Sequence, residues 1–266
     1  MTEPAPAAWQ ADLELIADAA RAAGAVALAH FGKDPEVWWK NGGHSPVSAA
    51  DYAANRLLEE RLRAARPAYG WLSEETDDDE SRLHCSTVFV IDPIDGTRAF
   101  ISGLETWCVC VAVVHEGRPV AAALVAPALN ETYLATADGP ATLNGAPINA
   151  ALPGESQAIR VAAPADLVKA FGPALRNRLT RVSHIPSLAY RLALVAAGRI
   201  DATLVLKNAH DWDLAAADLI LQRAGGRLVD SQGHDLLYNR QDVRHGFLLA
   251  GAAPLLPALL DGFRPV

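Results

Sequence analysis

The sequence predicts an α/β fold in which strands and helices form stacked layers, and three observations carry that prediction. A two-strand pattern runs from Trp107 to Val125. Apolar positions at helical spacing occur on both sides of it. Beyond about Ala150 the texture changes to strands alternating with helices. The chain has 266 residues and 51% of them are hydrophobic, so a large core can be buried. Residues 1–150 read as an α+β half and 151–266 as an α/β half. No internal repeat or low-complexity linker separates them, which predicts one compact body.

The elements follow in order. Leu13, Ile16, Ala20, Ala23 and Ala27 recur at three and four, then Phe31, which predicts a helix ending near Gly32. Val37-Trp38-Trp39-Lys40 is a short strand, and Asn41-Gly42-Gly43 is a loop, with Trp38 and Trp39 expected to pack beneath it. That loop is placed to close over a site as a lid. Ser48-Ala49-Ala50-Asp51 has a capping-box pattern and opens a second helix that buries Leu57, Leu58 and Leu62 and stops at Arg66-Pro67. Trp71-Leu72-Ser73 is a strand ending in Glu74-Glu75, and Thr76 to Arg82 is a solvated acidic loop.

Val88-Phe89-Val90-Ile91 is a strand that runs into a tight turn at Asp92-Pro93-Ile94-Asp95. Trp107 to His115 and Pro119 to Val125 pair across a Glu116-Gly117 turn. Thr132 to Ala135 is a further strand and Asn144-Gly145 a turn. Ser187 caps a helix that closes at Gly198, Thr203 to Leu206 is a strand, and Asp213 to Ala224 is an apolar helix ended by Gly225-Gly226. Arg227 to Val229 and Gly246 to Ala250 close the fold as strands.

Composition narrows the function. The net charge is −8, no basic run of five occurs, and the six tryptophans form no stacking stripe. Such a chain has little surface for displacing counterions from a nucleic acid polymer. Three cysteines, Cys85, Cys108 and Cys110, make no disulfide framework and no zinc spacing, which points to a reducing, cytoplasmic compartment. Met1 to Gln10 has neither a basic n-region nor an apolar h-region, and no apolar stretch reaches membrane-span length, so neither leader nor membrane anchor is expected.

Chemistry concentrates in Asp92-Pro93-Ile94-Asp95-Gly96-Thr97. Two acids separated by a fixed-φ proline cradle a hard cation. The N–H groups of Gly96 and Thr97 then face an anion where the next helix opens. Divalent metal beside phosphate means phosphoryl chemistry. Asp51, Glu74 and Asp213 also stand at element edges and can converge on one crevice. Each has a plainer role available: a helix cap for Asp51, a solvated acid for Glu74, a dipole partner for Asp213. All five together are poorly served by such roles.

Leu72-Ser73-Glu74-Glu75, Asp92-Pro93-Ile94-Asp95-Gly96-Thr97 and Trp212-Asp213-Leu214-Ala215-Ala216 resemble the signature motifs of the inositol monophosphatase superfamily, in that family's order, and the element order matches from about Leu13 to Ala250. The resemblance implies an αβαβα five-layer sandwich, a homodimer, and lithium-sensitive, Mg²⁺-dependent hydrolysis of phosphomonoesters with two or three ions per site. It implies that Glu74, Asp92, Asp95 and Asp213 ligate metal by side chain and Ile94 by its carbonyl. Gly96 and Thr97 hold the phosphate, with Lys40 near it. Asp51 and Thr97 aim the attacking water, and Glu75 stands behind the ligands. Two metals about 3.5–4 Å apart would clamp attacking and leaving oxygens. No covalent intermediate is needed, because neither Ser73 nor any cysteine has a paired base.

The resemblance implies that the substrate is a small phosphorylated metabolite. Inositol-specific members resembling this chain carry a glutamate seven residues before the Trp-Asp aspartate; here Leu206 stands there, followed by Lys207. Losing a carboxylate and gaining a cation favours a second negative group, as in adenosine 3′,5′-bisphosphate. The Leu-Ser-Glu-Glu motif also resembles the 3′(2′),5′-bisphosphate nucleotidase branch, which ranks first. Inositol monophosphatase ranks second. Histidinol-phosphate phosphatase is third, since Asp-Gly-Thr-Arg-Ala-Phe-Ile-Ser-Gly resembles that branch too. Ser187, Arg191 and Lys207 are the substrate-side candidates; a solvated lysine and a Tyr190–Arg191 packing pair are the alternatives. Asp211 is either a neighbour of the metals or merely exposed. A non-catalytic metal- or phosphate-binding relative is the rival from another class. It would be expected to lack Asp51, Thr97 or a metal ligand, and all are present.

Overall fold

Apolar side chains on both faces of the central strands dictate the layering. In the computed structural model, residues 6–33, 36–40 and 45–263 are described, without the side chains of 6–8, 39, 40 and 45. The Lys40 side chain and the Asn41-Gly42-Gly43 loop, both singled out above, lie outside the described residues.

Helix α1 spans Pro6–His30 and starts seven residues before the periodic stripe, since proline is tolerated in a first turn. Strands β1 (Val37–Lys40) and β2 (Ser45–Ser48) form an antiparallel pair. Helix α2 (Ala49–Ala65) carries the capping box at Ser48 and Asp51. Strand β3 (Gly70–Ser73) leads through a 3₁₀ turn at Glu80–His84 to β4 (Thr87–Asp95) and the one-turn helix α3 (Thr97–Ile101). Strands β5 (Cys108–His115), β6 (Arg118–Ala126), β7 (Glu131–Thr136), β8 (Thr142–Leu143) and β9 (Ala146–Pro147) complete a seven-stranded sheet in the order β3-β4-β5-β6-β7-β8-β9. Only β3 and β4 pair in parallel there.

The second half adds β10 (Ile159–Ala162), α4 (Ala165–Lys169), α5 (Pro173–Arg176), β11 (Leu179–Arg181), α6 (Leu188–Ala196), β12 (Ala202–Val205), α7 (Asp211–Arg223), β13 (Gly226–Asp230), β14 (Leu248–Ala252) and α8 (Leu256–Gly262). Its five strands lie in the order β11-β10-β12-β14-β13.

Alternation along β4, β5 and β6 sends Phe89, Ile91, Val109 and Val111 toward Ile16, Ala20 and Leu58 of α1 and α2. Val88, Val90, Ala112 and Leu124 face Leu192, Leu214 and Ile220 of α6 and α7. The other side of α6 and α7 meets Leu228, Leu248 and Ala250 of the second sheet. That sheet's far face packs on Val168, Leu256 and Leu259 of the peripheral helices and on Phe171 between two of them. The layers are therefore α, β, α, β, α, the predicted sandwich. Strands buried on both faces read as continuous apolar runs, as β5 does.

One local expectation is corrected. The acidic stretch from Thr76 to Arg82 is not uniformly solvated. Arg82 is buried, and its fork grips Asp78 at 2.6 and 2.8 Å. Trp38 is 42% exposed and meets Tyr52 of α2 edge-on. Among the described residues no helix is long and apolar enough to cross a membrane.

Helix α7 also holds an acid away from the cleft described below. Asp218 is buried and accepts from the Tyr238 hydroxyl at 2.8 Å. Burial pushes its pKa up to about 6, against the pull of Tyr238 and Gln222. A raised folded-state pKa means the native chain holds a proton that the unfolded chain has lost. The contribution of Asp218 to stability is thus fully present below about pH 4 and is lost as pH rises through about 6. Asp218→Asn removes that loss and keeps an acceptor for Tyr238. Thermal melts of the metal-free protein are expected to show a gain of about 1–3 kcal/mol at pH 8 and little change at pH 4.5. An unchanged or lower Tm at pH 8 contradicts this account.

Candidate active site

A bulge in β4 brings two acids onto one face. In a regular strand, residues three apart point to opposite faces. Here Asp92 pairs with Cys110 and Asp95 with Cys108, so β4 holds one residue more than β5 between those registers. Cys108 and Cys110 share a face, with their sulfurs 3.6 Å apart, and Asp92 and Asp95 share it with them. The expected tight turn is thus a continuation of the ladder. Pro93 sits in the bulge, where a missing N–H is tolerated.

Gly96 follows at φ +93°, and a Cβ there would stand 2.9 Å from Cβ of Ser187 and 3.3 Å from the Thr106 carbonyl. Conformation and space both demand glycine. It turns the chain so that Thr97 opens α3 with its hydroxyl 3.2 Å from Oδ1 of Asp51 and 3.1 Å from the Ile94 carbonyl. Asp51 is both cap and neighbour. Its other oxygen accepts from the Ser48 backbone N–H at 2.8 Å and hydroxyl at 2.6 Å. Burial raises the Asp51 pKa, and the hydrogen bonds from Ser48 and Thr97 oppose the rise.

Glu74 extends β3, donating its N–H to the Ile91 carbonyl at 3.2 Å, and the parallel pairing sets it beside the end of β4. Asp213 is the third residue of α7, which begins two residues earlier than the sequence suggests, and accepts from the His210 N–H at 2.7 Å. One carboxylate oxygen each from Glu74, Asp92 and Asp213 lie within 4.8 Å of one another. Asp95 lines the same cleft, of about 650 Å³, with Ile94, Gly96, Thr97, Lys207 and Asp213.

Burial pushes Asp92 well above the ordinary carboxylate range, and Glu74, Asp95 and Asp213 push it further. Burial and then Asp213 raise Asp95 to about 6, while Ser187, Ala189 and Leu188 pull it down. Acids that repel one another in a buried corner, with the Ile94 carbonyl beside them, form an all-oxygen donor set. That set fits a hard divalent cation and no softer metal.

Ser187 requires a correction. It is fully buried, and its hydroxyl donates to Asp95 and accepts from the Tyr190 N–H. It holds a candidate ligand and caps α6. Tyr190 is also buried and bonds Glu131, so it is no partner of Arg191. Arg191 lines a second cleft of about 550 Å³ with Arg181 and Ala162; the two clefts share His184, Leu206, Lys207 and Asn208. Lys207 and Leu206 are exposed there. Asp211 is buried on His245 at 2.7 Å. Sequence reasoning missed His184, His245 and Asn239, which belong to no motif. The one available signal was Asp211, an acid where a helix dipole alone did not need a second.

A family model described as the inositol monophosphatase family matches residues 9–259. An inositol-1-monophosphatase of Mesorhizobium japonicum is 31% identical over 276 residues, covering 95% of this chain and 96% of that protein. A 3′-phosphoadenosine 5′-phosphate phosphatase of Mycobacterium leprae is 32% identical over 271 residues, covering 96% and 94%. The crystal structure of the extragenic suppressor protein SuhB from Bartonella henselae superposes with a TM-score of 0.81 at 26% identity, covering 95% of this chain and 98% of that one. Fold, motif order and family match agree: the chain belongs to the metal-dependent inositol monophosphatase family and is a phosphatase.

Proposed function

We propose that this chain hydrolyses a small phosphate monoester with Mg²⁺ held by Glu74, Asp92, Asp95, Asp213 and the Ile94 carbonyl. The convergence of these groups, drawn from 140 positions of sequence, on one cleft beside Thr97 supports that reading. Bound there, divalent cations supply Lewis acidity, which eases deprotonation of water and neutralises charge on ester oxygens. The Thr97 hydroxyl has one proton, directed at Asp51 or at the Ile94 carbonyl, and so offers its lone pairs to a proton of the attacking water. Burial makes Asp51 a better proton acceptor behind it. Gly96 and Thr97 present backbone N–H groups to the phosphate. No side chain serves as nucleophile: the Ser187 hydroxyl is engaged, and burial pushes the Cys110 thiol well above its ordinary pKa. Lithium inhibition and a homodimer belong to the same reading.

The second cleft points to a substrate with two anionic groups, a 3′(2′),5′-bisphosphate nucleotide first among them. Arg191 carries the argument. Its Nε is shut off from solvent without a hydrogen-bond partner among the described residues, and its Nη1 donates to the Ile185 carbonyl at 3.5 Å. Burial holds its pKa below the ordinary range, with Asp95 opposing. A guanidinium placed so is a cation short of an anion. Lys207 and Arg181 border the same space, and Leu206 offers no carboxylate to a polyol.

The test is kcat/KM with Mg²⁺ for adenosine 3′,5′-bisphosphate, inositol 1-phosphate and histidinol phosphate on one preparation. The bisphosphate is expected to lead. Arg191→Met is expected to lower its kcat/KM about 10–100-fold, as for a lost charged hydrogen bond, and to leave p-nitrophenyl phosphate nearly unchanged. A flat profile, or equal losses on all substrates, defeats the two-anion reading. No phosphate release from any substrate defeats the catalytic one.

A further inference from the structure

Glu74 and Asp213 belong to different layers, and one of them rides on a strand held from a single side. Strand β3 is the edge of its sheet and pairs with β4 alone. Asp213 starts a helix in the next layer. Something must fix the free flank of β3 against the start of α7, and a polar chain with a buried middle, from half-exposed Asp78 through buried Arg82 to buried Asp211, runs between them.

The chain begins four residues past Glu74, at Asp78. Arg82 forks onto Asp78 with Nε and Nη2 and sends Nη1 to Oδ1 of Asn239 at 2.7 Å and to the Arg240 carbonyl at 3.1 Å. The Asn239 N–H donates to Oδ2 of Asp211 at 2.7 Å, and Oδ1 of Asp211 lies 2.7 Å from Nε2 of His245. Backbone bonds tie the same stretch down: Asp211 N–H to the Val243 carbonyl at 3.0 Å, His245 N–H to the Ala209 carbonyl at 2.8 Å, and Asn208 N–H to the His245 carbonyl at 2.9 Å. Arg82 is 1% exposed and Asp211 0%. Gly70 makes room for Arg82, since a Cβ there would stand 3.2 Å from the Arg82 Cα. An arginine so deeply buried and so fully bonded is rigid, because releasing it strands a charge.

We infer that Arg82, Asn239 and Asp211 are positioning residues, a bridge that sets the spacing of Glu74 and Asp213 and so tunes cation affinity. They touch neither cation nor substrate. The inference rests on the reading of Glu74, Asp92 and Asp213 as the metal site. Partners that orient ligands from behind are worth about 10–100-fold in metal affinity.

Asn239 allows a clean test. Its φ is +55°, a conformation that glycine adopts freely and aspartate tolerates. Asn239→Gly keeps the backbone and deletes the acceptor; Asn239→Asp restores an acceptor for Arg82. Calorimetric titration with Mg²⁺ is expected to show about tenfold or greater weakening in Asn239→Gly and affinity within about twofold of wild type in Asn239→Asp. Arg82→Lys keeps the charge but cannot fork, and is expected to weaken binding like Asn239→Gly. In kinetics the Mg²⁺ requirement rises by the same factor, while kcat at saturating Mg²⁺ and KM for p-nitrophenyl phosphate stay within about twofold. A role confined to stability would lower Tm and leave these affinities alone. Wild-type Mg²⁺ affinity in Asn239→Gly or Arg82→Lys, or equal weakening in Asn239→Asp, overturns the bridge. Absence of Mg²⁺ binding in the wild-type protein overturns the metal reading itself, so the two failures are told apart.

Discussion

Asp95→Asn is expected to lower kcat by at least about 10²–10³-fold while leaving the chain folded. The geometry explains why one atom separates the two outcomes. One Asp95 oxygen accepts from the Ser187 hydroxyl and from the Ala189 N–H at 2.7 Å. The amide oxygen of asparagine can keep both bonds, so the start of α6 stays anchored. The amide nitrogen then replaces the second carboxylate oxygen of a residue that lines the cleft with Glu74, Asp92 and Asp213. Nitrogen bearing two protons does not ligate a hard cation. Because Asp95 carries a pKa raised to about 6 by burial and by Asp213, its neutral replacement is expected to hold or raise the Tm of the metal-free protein. Steady-state kinetics across a Mg²⁺ series, with melting curves on the same samples, check both halves. An unfolded variant or a near-normal kcat refutes the assignment.

Chelation is expected to have an equally large effect, and it reads out in two ways. EDTA should reduce turnover to background and Mg²⁺ restore it. The same ion should also stabilise the fold, because Glu74, Asp92, Asp95 and Asp213 repel one another when no cation lies among them. At about one hundred times the Kd, an ion that binds only the native state adds about 2.7 kcal/mol. For a chain of this size that corresponds to roughly 5–10 °C in Tm. A Tm that ignores Mg²⁺, or a chelated enzyme that still turns over, contradicts the metal site directly.

The parts of this protein legible in its sequence are those whose causes are local. The β5–β6 hairpin follows from alternation and the Glu116-Gly117 turn, with positive φ at both residues. Helix α2 follows from Ser48 and Asp51, and α6 from Ser187. The acids of the cleft follow from motif resemblance. Other features have distant causes. Arg82 sits in what reads as a solvated loop, and its partners Asn239 and the Arg240 carbonyl lie 157 and 158 residues away. Asp211 looks expendable until His245, 34 residues on, meets it. Helices α4 and α5 have five and four residues, too few for a periodic stripe to register. Ser187 reads as a substrate-side candidate, because a serine cap beside a cleft has the same sequence appearance whichever way its hydroxyl turns.

The extra residue in β4 makes this centre tolerant of some changes and brittle to others. Replacing Pro93, or the Ile94 side chain, leaves the parity of the strand intact, since only the Ile94 carbonyl enters the proposed chemistry. Deleting either residue would remove the bulge: Asp92 and Asp95, then two apart, would keep a common face, but the one residue left between them would be drawn into the regular ladder opposite Val109, and the carbonyl beside the acids would lose its place. Lineages of this chain should therefore accept substitutions between the two aspartates far more readily than a frame-preserving loss of a single codon.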